Sequence, residues 1–415
     1  MLTFGSGDCG QLAHGIEADE DLMVRFPRVV YSLRDKKVCG ISCGGLHNAV
    51  WTEAGAVYTW GCNDDGSLGR TGDEWLPLLV EGPLVNETII SVACGDGQTI
   101  AVSTGGQVWG WGCYKDKEGK KFFNPDSESG LKPSKDIKKQ QSTPLQISGL
   151  SNIIEVACGA AFGVARDDRG NVYSWGIGEC GELGRDVKPL KAGEGEDANY
   201  DLETICDQHV TPGPMYVKNH ATNKNVALSG VKAIGCGAYH SLVLVVGGSV
   251  FSCGLNNYSQ LGFGDLDNRS LLTEVDSLRD VGVCAVKGGV HHSLVLTTSG
   301  AMYACGRGDS GQLGVGRGAI EDEAGAFSMA WVAPKLTLSG SATVKSISCG
   351  GNHNLALTTA NDVYTWGYGD MLALGHGEEQ DEPAPKKVNL SKSKVGSITV
   401  MQVKCICIIF DLISI

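Results

Sequence analysis

The sequence is short of proline, of positive charge and of long apolar runs, and each shortage excludes something. Twelve prolines in 415 residues, with no Gly-X-Y period, exclude a collagen-like or proline-rich disordered chain. The longest apolar run, Cys405 to Ile415, has eleven residues and includes Asp411, well short of the ~20 that a membrane-spanning helix requires. No membrane contact is expected. Lys+Arg number 34 against 47 Asp+Glu, a net charge of −13, which opposes broad phosphate-backbone binding because such binding needs cations to neutralise phosphates. Any nucleic-acid contact must be local. No secretory leader precedes the first strand-like run, so the 16 cysteines point to reduced thiols in an intracellular compartment rather than a disulfide framework. Outside two inserts no stretch has a 3.6-residue period, and no phosphate-cradling loop, nucleophile elbow or metal motif stands in a supporting context. The expectation is no cofactor, no metal and no conventional enzyme chemistry.

Glycine is what the chain has in excess: 59 residues, 14% of the total, roughly twice the usual share. With 42% hydrophobic residues, the chain can bury a large core, and the glycines punctuate it. One phrase recurs: Cys-Gly, two residues, His, an alternating apolar run, Gly or Asn, Val-Tyr-x-Trp-Gly, then Gly-x-Leu-Gly. Copies run from Cys43 to Gly69, Cys94 to Gly112, Cys158 to Gly184, Cys236 to Gly262, Gly288 to Gly314 and Cys349 to Gly375, with a partial copy from Leu2 to Leu12. The landmark glycines Gly5, Gly61, Gly112, Gly176, Gly254, Gly306 and Gly367 are spaced by 56, 51, 64, 78, 52 and 61 residues. Runs such as Ser241 to Val245 and Val57 to Trp60 have strand length and β-rich composition. An all-β unit of about 50 residues repeated seven times predicts a β-propeller of seven four-stranded blades.

Most of the phrase is explained by packing. Glycine after the innermost strand removes bulk where blades converge, the preceding cysteine acts as a small hydrophobe, and Tyr and Trp supply area between blades. The repeat histidines His47, His240 and His353 share a Cys-x-x-x-His spacing, but one such pair per blade, each at a different angle, does not converge into a tetrahedral metal site. Two positions break the pattern. Asp96 puts a carboxylate where other repeats have a second glycine, and His291-His292 doubles the repeat histidine. A lysine-rich insert at 114–142 replaces one Gly-x-Leu-Gly, and a second insert at 179–207 carries nine acidic against three basic residues. Residues 120–142 read as a solvated loop.

The repeated phrase resembles that of the regulator of chromosome condensation family, and the resemblance covers residues 1 to 395. Gly61 to Arg70, Gly254 to Gly262 and Gly288 to Ser293, with the opening Leu2 to Leu12, are similar to the family's exchange factors for the small GTPase Ran. What this implies is a guanine-nucleotide exchange factor without covalent chemistry, serving nucleocytoplasmic transport and the cell cycle. It also implies a Ran-type GTPase as partner, a monomeric state, and a nuclear, chromatin-associated location. By the same resemblance Asp96, His291 and His292 act in exchange, and Asp8 and His47 contact the partner. Lys115, Asp116, Lys117 and Gly119 would form a β-wedge aimed at the GTPase's phosphate loop. Lys218, His220 and Lys224 fall in the loop that meets histones in the family.

This chain departs from the family at several points. Ala160-Ala161 stands where an Asn-Asp pair is found, and the 218–224 loop has no arginine, so it cannot offer a bidentate fork to an acidic patch. Nucleosome binding is therefore left open. No basic tail precedes Leu2, which keeps a cytoplasmic location open. Residues 396–415 form an atypical C-terminal segment without the repeat phrase, in which 397–404 would supply one closing strand. A non-catalytic interaction scaffold, such as a ubiquitin-ligase-associated or chromatin adaptor module, is the alternative. The Gly-Trp-Arg-His-Thr phrase of the photoreceptor branch is absent.

Overall fold

Each copy of the phrase folds as an antiparallel meander, because its glycines end apolar runs too short to do anything but pair with their neighbours. In the copy at 38–79, Val38–Cys43, His47–Thr52, Val57–Gly61 and Leu78–Leu79 pair in sequence order. The computed structural model describes residues 1–15, 22–123, 138–188, 205–318, 327–338, 341–393, 400–405 and 409–414. Among them the sheets are those of a β-propeller. Of the expected four-stranded blades, six are present as four-stranded sheets; one further sheet has six strands, and a two-stranded ribbon stands apart. The six-stranded sheet arises because a hairpin, Tyr216–Asn219 and Lys224–Ala227, adds to the outer strand Arg269–Glu274 through the parallel pair Val217↔Leu272.

The chain ends share a sheet. Leu2–Ser6 pairs with Met23–Val29 on one side and with Ile409–Ser414 on the other, and Ile409–Ser414 pairs with Val400–Cys405. The C-terminal segment thus contributes two strands where its sequence suggested one. Val400–Cys405 shows the register shift at its start, between Val400 and Gln402, that Val38–Cys43 and Val344–Cys349 show. Backbone geometry recognises it as an innermost strand even though its sequence lacks the phrase.

A recurring latch joins neighbouring sheets. His47 Nε2 lies 2.8 Å from Thr99 Oγ1, and that hydroxyl donates to the Ser67 carbonyl, which also accepts Trp111 Nε1 at 2.7 Å. His240, Ser293 and Gln260 repeat the arrangement, as do His292, Asn354, Gln312 and Trp366. The carbonyls of Ser67, Glu182, Gln260 and Gln312, each before a Leu-Gly, therefore accept donors from the next sheet. Trp60, Trp111, Trp175 and Trp366 are fully buried, each contributing on the order of 4–6 kcal/mol of transfer free energy. The Leu-Gly glycine must be small because the Trp ring lies over it: a Cβ on Gly69 would sit 2.8 Å from Trp111.

At the axis the innermost strands end in the Cys-Gly turns. A Cβ on Gly44 would approach the Gly95 carbonyl to 2.2 Å, so glycine is obligatory there. The turns are stitched by backbone hydrogen bonds running one way around the ring: Gly45 to Gly95, Asp96 to Ala160, Ala160 to Ala238, Ala238 to Gly289 and Val290 to Gly351. Cys43, Cys158, Cys236 and Cys349 are half-buried against an axial cavity rather than fully enclosed, and Cys94 is buried. Burial pushes the Cys236 thiol up to about 12.

Candidate functional site

Strand polarity sorts the candidate residues between two faces. In each sheet the first strand runs toward the Cys-Gly turn, the second returns, and the third runs back toward the same end. The Cys-Gly turns and the connections after each Trp-Gly strand therefore share one face. That face carries Asp8, Asp96, Val290-His291 and the ribbon Tyr114–Lys115 with Lys121–Phe122. The Tyr216–Asn219 strand runs parallel to Arg269–Glu274, away from this face, so the hairpin tip with Lys218, His220 and Lys224 lies at the opposite one. All three are exposed.

Asp96 stands in the mouth of an axial cavity of about 110 Å³, whose rim also includes Ala160, Ala238, Val290 and Gly351. Its backbone is tied by Asp96 N to Ala160 O at 3.0 Å, while its side chain is exposed. The surrounding walls strip water from the carboxyl and push it above the ordinary aspartate value; Lys115 pulls it back and Asp65 adds to the rise. Three hydrogen-bonded steps around the ring from Asp96, Val290 sits on the same rim and His291 follows it.

The two histidines have different surroundings. His292 is buried, donates from Nε2 to Asn354 Oδ1 at 2.9 Å, and is lowered to about 4 by burial. It is the latch histidine of its sheet. His291 is half-buried between the Tyr239 and Tyr258 rings, at 6.0 and 5.0 Å, and is lowered by burial and then by Arg307, against Asp309. Arg307 pairs with Asp309 at 2.7 Å and lies over the Tyr258 ring. His47 is buried in its latch and lowered to about 4, so its side chain faces Thr99 rather than solvent.

The ribbon is built around its own turn. Asp116 is buried, and its Oδ1 accepts the N–H groups of Glu118 and Lys120 at 3.0 and 2.8 Å. Gly119 closes the turn at φ 80°, with open space around it. Lys115 and Lys117 are exposed on either side of this cap. The solvated-loop reading of 120–142 is corrected at both ends. Phe122 and Phe123 are buried, and Gln141–Gln146 is the outer strand of its sheet, because the apolar residues close a junction that has no Leu-Gly. Residues 124–137, with Lys132 and Lys135, and 189–204 of the second insert lie outside the described residues.

Sequence reasoning missed two residues that the structure brings to the ribbon. Asp65 binds Lys115 at 2.5 Å and Lys121 at 2.8 Å, and Glu179 binds Lys117 Nζ at 3.6 Å and its N–H at 3.2 Å. Burial would raise the Asp65 carboxyl, but the two lysines hold it below its usual range. At the base, the Tyr114 hydroxyl accepts Trp175 Nε1 at 2.7 Å, taking the place of the missing Leu-Gly carbonyl. The signal in the sequence was the coincidence of an aromatic cluster with a lost Gly-x-Leu-Gly. Among the described residues, no group of three or more His, Cys, Asp or Glu is placed to hold a metal ion.

A β-propeller with repeat-histidine latches and a face of polar turns defines the class. Residues 1–406 match the model of the RCC1-like domain, and the chain belongs to that family. It is similar to the human Regulator of chromosome condensation, at 31% identity over 419 residues, covering 97% of this chain and 90% of that protein. The Guanine nucleotide exchange factor SRM1 of Saccharomyces cerevisiae is 27% identical over 447 residues, covering 97% and 84%. The Ultraviolet-B receptor UVR8 of Arabidopsis thaliana is 28% identical over 389 residues, covering 93% and 77%. The crystal structure of Prp20p from Saccharomyces cerevisiae, described with its binding properties to Gsp1p and histones, aligns with a TM-score of 0.83 at 24% identity, covering 100% of this chain and 91% of that one. Exchange factors and a photoreceptor thus share the fold, and function must be argued from the site.

Proposed function

We propose that this chain is a guanine-nucleotide exchange factor for a Ran-type small GTPase. The observation that carries the reading is the common face: Asp96 at the axial mouth, the 114–122 ribbon on the same side, and His291 next to the rim residue Val290. The similarity to relatives named as exchange factors supports it.

The mechanism needs no bond making. A small GTPase holds its nucleotide through phosphate contacts and Mg²⁺. A ribbon and a carboxylate that compete for the same groups on the GTPase weaken those contacts, while the new interface offsets the cost. Linkage makes the effect reciprocal: the factor binds nucleotide-free GTPase best, and incoming nucleotide expels it. Release is accelerated equally for both nucleotides, and the ratio of GTP to GDP sets the direction of loading. Ala160-Ala161 leaves the rim next to Asp96 without a further acid, so the exchange is expected to depend more heavily on Asp96. The exposed hairpin tip offers lysine and histidine but no arginine, which disfavours a bidentate grip on an acidic histone surface.

The test is release of labelled GDP from Ran with and without the chain. Acceleration at micromolar protein is the expected result. No acceleration would favour the scaffold reading, to which the family's photoreceptor and ubiquitin-ligase relatives give a precedent.

A further inference from the structure

The ribbon at 114–122 is too small to hold itself. Only Tyr114↔Phe122 and Lys115↔Lys121 pair, and an isolated two-stranded hairpin is marginal in water even when longer. Its orientation must come from outside. We propose that Asp65 and Glu179 are positioning residues that brace this ribbon from its two flanks, with Tyr114 fixing its base, and that this bracing sets the maximal rate of nucleotide release. The inference rests on the exchange-factor reading.

The two acids come from different sheets. Asp65 lies in the connection after Val57–Gly61, Glu179 in the connection after Val172–Gly176, and the ribbon follows Val108–Gly112 of the sheet between them. Lys115 and Lys121 are cross-strand partners, so the single Asp65 carboxylate, reaching them at 2.5 and 2.8 Å, ties both strands at once. On the other flank Glu179 takes the backbone N–H of Lys117 and its ammonium, fixing the chain inside the turn that Asp116 caps. At the base Tyr114, Phe122 and Phe123 join the apolar cluster of Ile147, Trp175 and Val210. Tyr114 stacks on Phe123 at 5.9 Å and receives the Trp175 N–H.

Lys121 also donates to the Asp64 carbonyl at 3.2 Å, on the same flank as Asp65. Both carboxylates are largely covered, at 13% and 19% side-chain exposure, while the lysines they hold reach solvent. A partner can therefore meet the ribbon without touching Asp65 or Glu179. Half-exposed ion pairs of this kind add only ~0–1 kcal/mol to global stability, so their worth lies in orientation, where a shift of about 1 Å in a working group costs up to ~100-fold in rate.

The experiment compares the wild type, the Asp65→Asn/Glu179→Gln double variant and Asp65→Glu, using the full chain. For the double variant the unfolding midpoint should stay within about 2 °C of wild type. Amide hydrogen exchange across 115–121 in the free protein should be about threefold faster or more. The maximal release rate from Ran-GDP should fall about tenfold, while the half-saturating concentration changes by less than about twofold. Asp65→Glu, which keeps the charge, should recover most of the rate. Unchanged amide exchange in the double variant overturns the bracing, whatever the activity. Faster amide exchange with an unchanged maximal rate overturns its role in release. If the wild type itself does not accelerate release, the exchange-factor reading fails, and the amide-exchange comparison still decides whether the two acids hold the ribbon.

Discussion

His291 and His292 are neighbours in sequence with different partners in space. His292 sits four residues after Gly288, as His47 does after Cys43, and its ring is enclosed and bonded to Asn354. His291 looks onto the candidate face between two tyrosines. His292→Ala should therefore destabilise the protein by about 2–4 kcal/mol, through a cavity and an unpaired Asn354 oxygen. His291→Ala should change stability by less than about 1 kcal/mol and act on release instead. Thermal melts and release rates of the two variants, taken together, check this. The doubled histidine was visible in the sequence, and repeat spacing separates the pair. The environment of Asp116 was not visible: its oxygen is spent on the turn's own N–H groups, and nothing in Lys-Asp-Lys-Glu-Gly announces that.

At the scale of elements, the sheet junctions were written in the repeat. Trp-Gly, Gly-x-Leu-Gly and the histidine, which the sequence offered as packing residues, are the three parts of one latch. The junction at Trp175 was illegible for the same reason. Its Leu-Gly is missing, and the replacement, Tyr114, comes from an insert with no repeat partner. Tyr114→Phe keeps the stacked ring but leaves the buried Trp175 N–H without an acceptor, so a loss of about 1–3 kcal/mol is expected. A denaturant midpoint that does not move would show that this hydroxyl is not the latch's substitute. The two strands of the C-terminal segment were equally hard to read, because Val400–Cys405 follows the register of its counterparts without their sequence.

For the molecule as a whole, repetition makes the all-β ring legible from sequence, while the six-stranded sheet is an addition that only its pairing with Leu272 reveals. Repetition also multiplies a titration. Burial lowers His47 and His292 to about 4, and His240 and His353 to about 3. An unfolded chain protonates these histidines near pH 6.5 and the folded one does not, so between those values the unfolded state binds more protons. Stability is thus full above about pH 6.5 and is lost as pH falls toward about 4. Glu182 works the other way. Burial raises its carboxyl to about 7 where other repeats have Gln11, Gln260 and Gln312, so it contributes stability at low pH that is lost as pH rises through about 7. With four histidines against one glutamate, the melting midpoint should fall by roughly 3–5 °C between about pH 7.5 and about pH 5.5. Glu182→Gln should raise it at about pH 8 but not below about pH 5. A flat profile would contradict the neutral, enclosed state of the ring of histidines.

The proposed loosening of a GTPase's hold on its nucleotide depends on Asp96. The most direct measurement is the rate of labelled GDP release from Ran, driven by the wild type and by Asp96→Ala at equal concentration. Because the Asp96 side chain is exposed and its backbone N–H makes the tie to Ala160, the variant should melt with the wild type, within about 0.5 kcal/mol. Its release rate should be lower by about tenfold or more. Equal release by the folded variant would contradict the account.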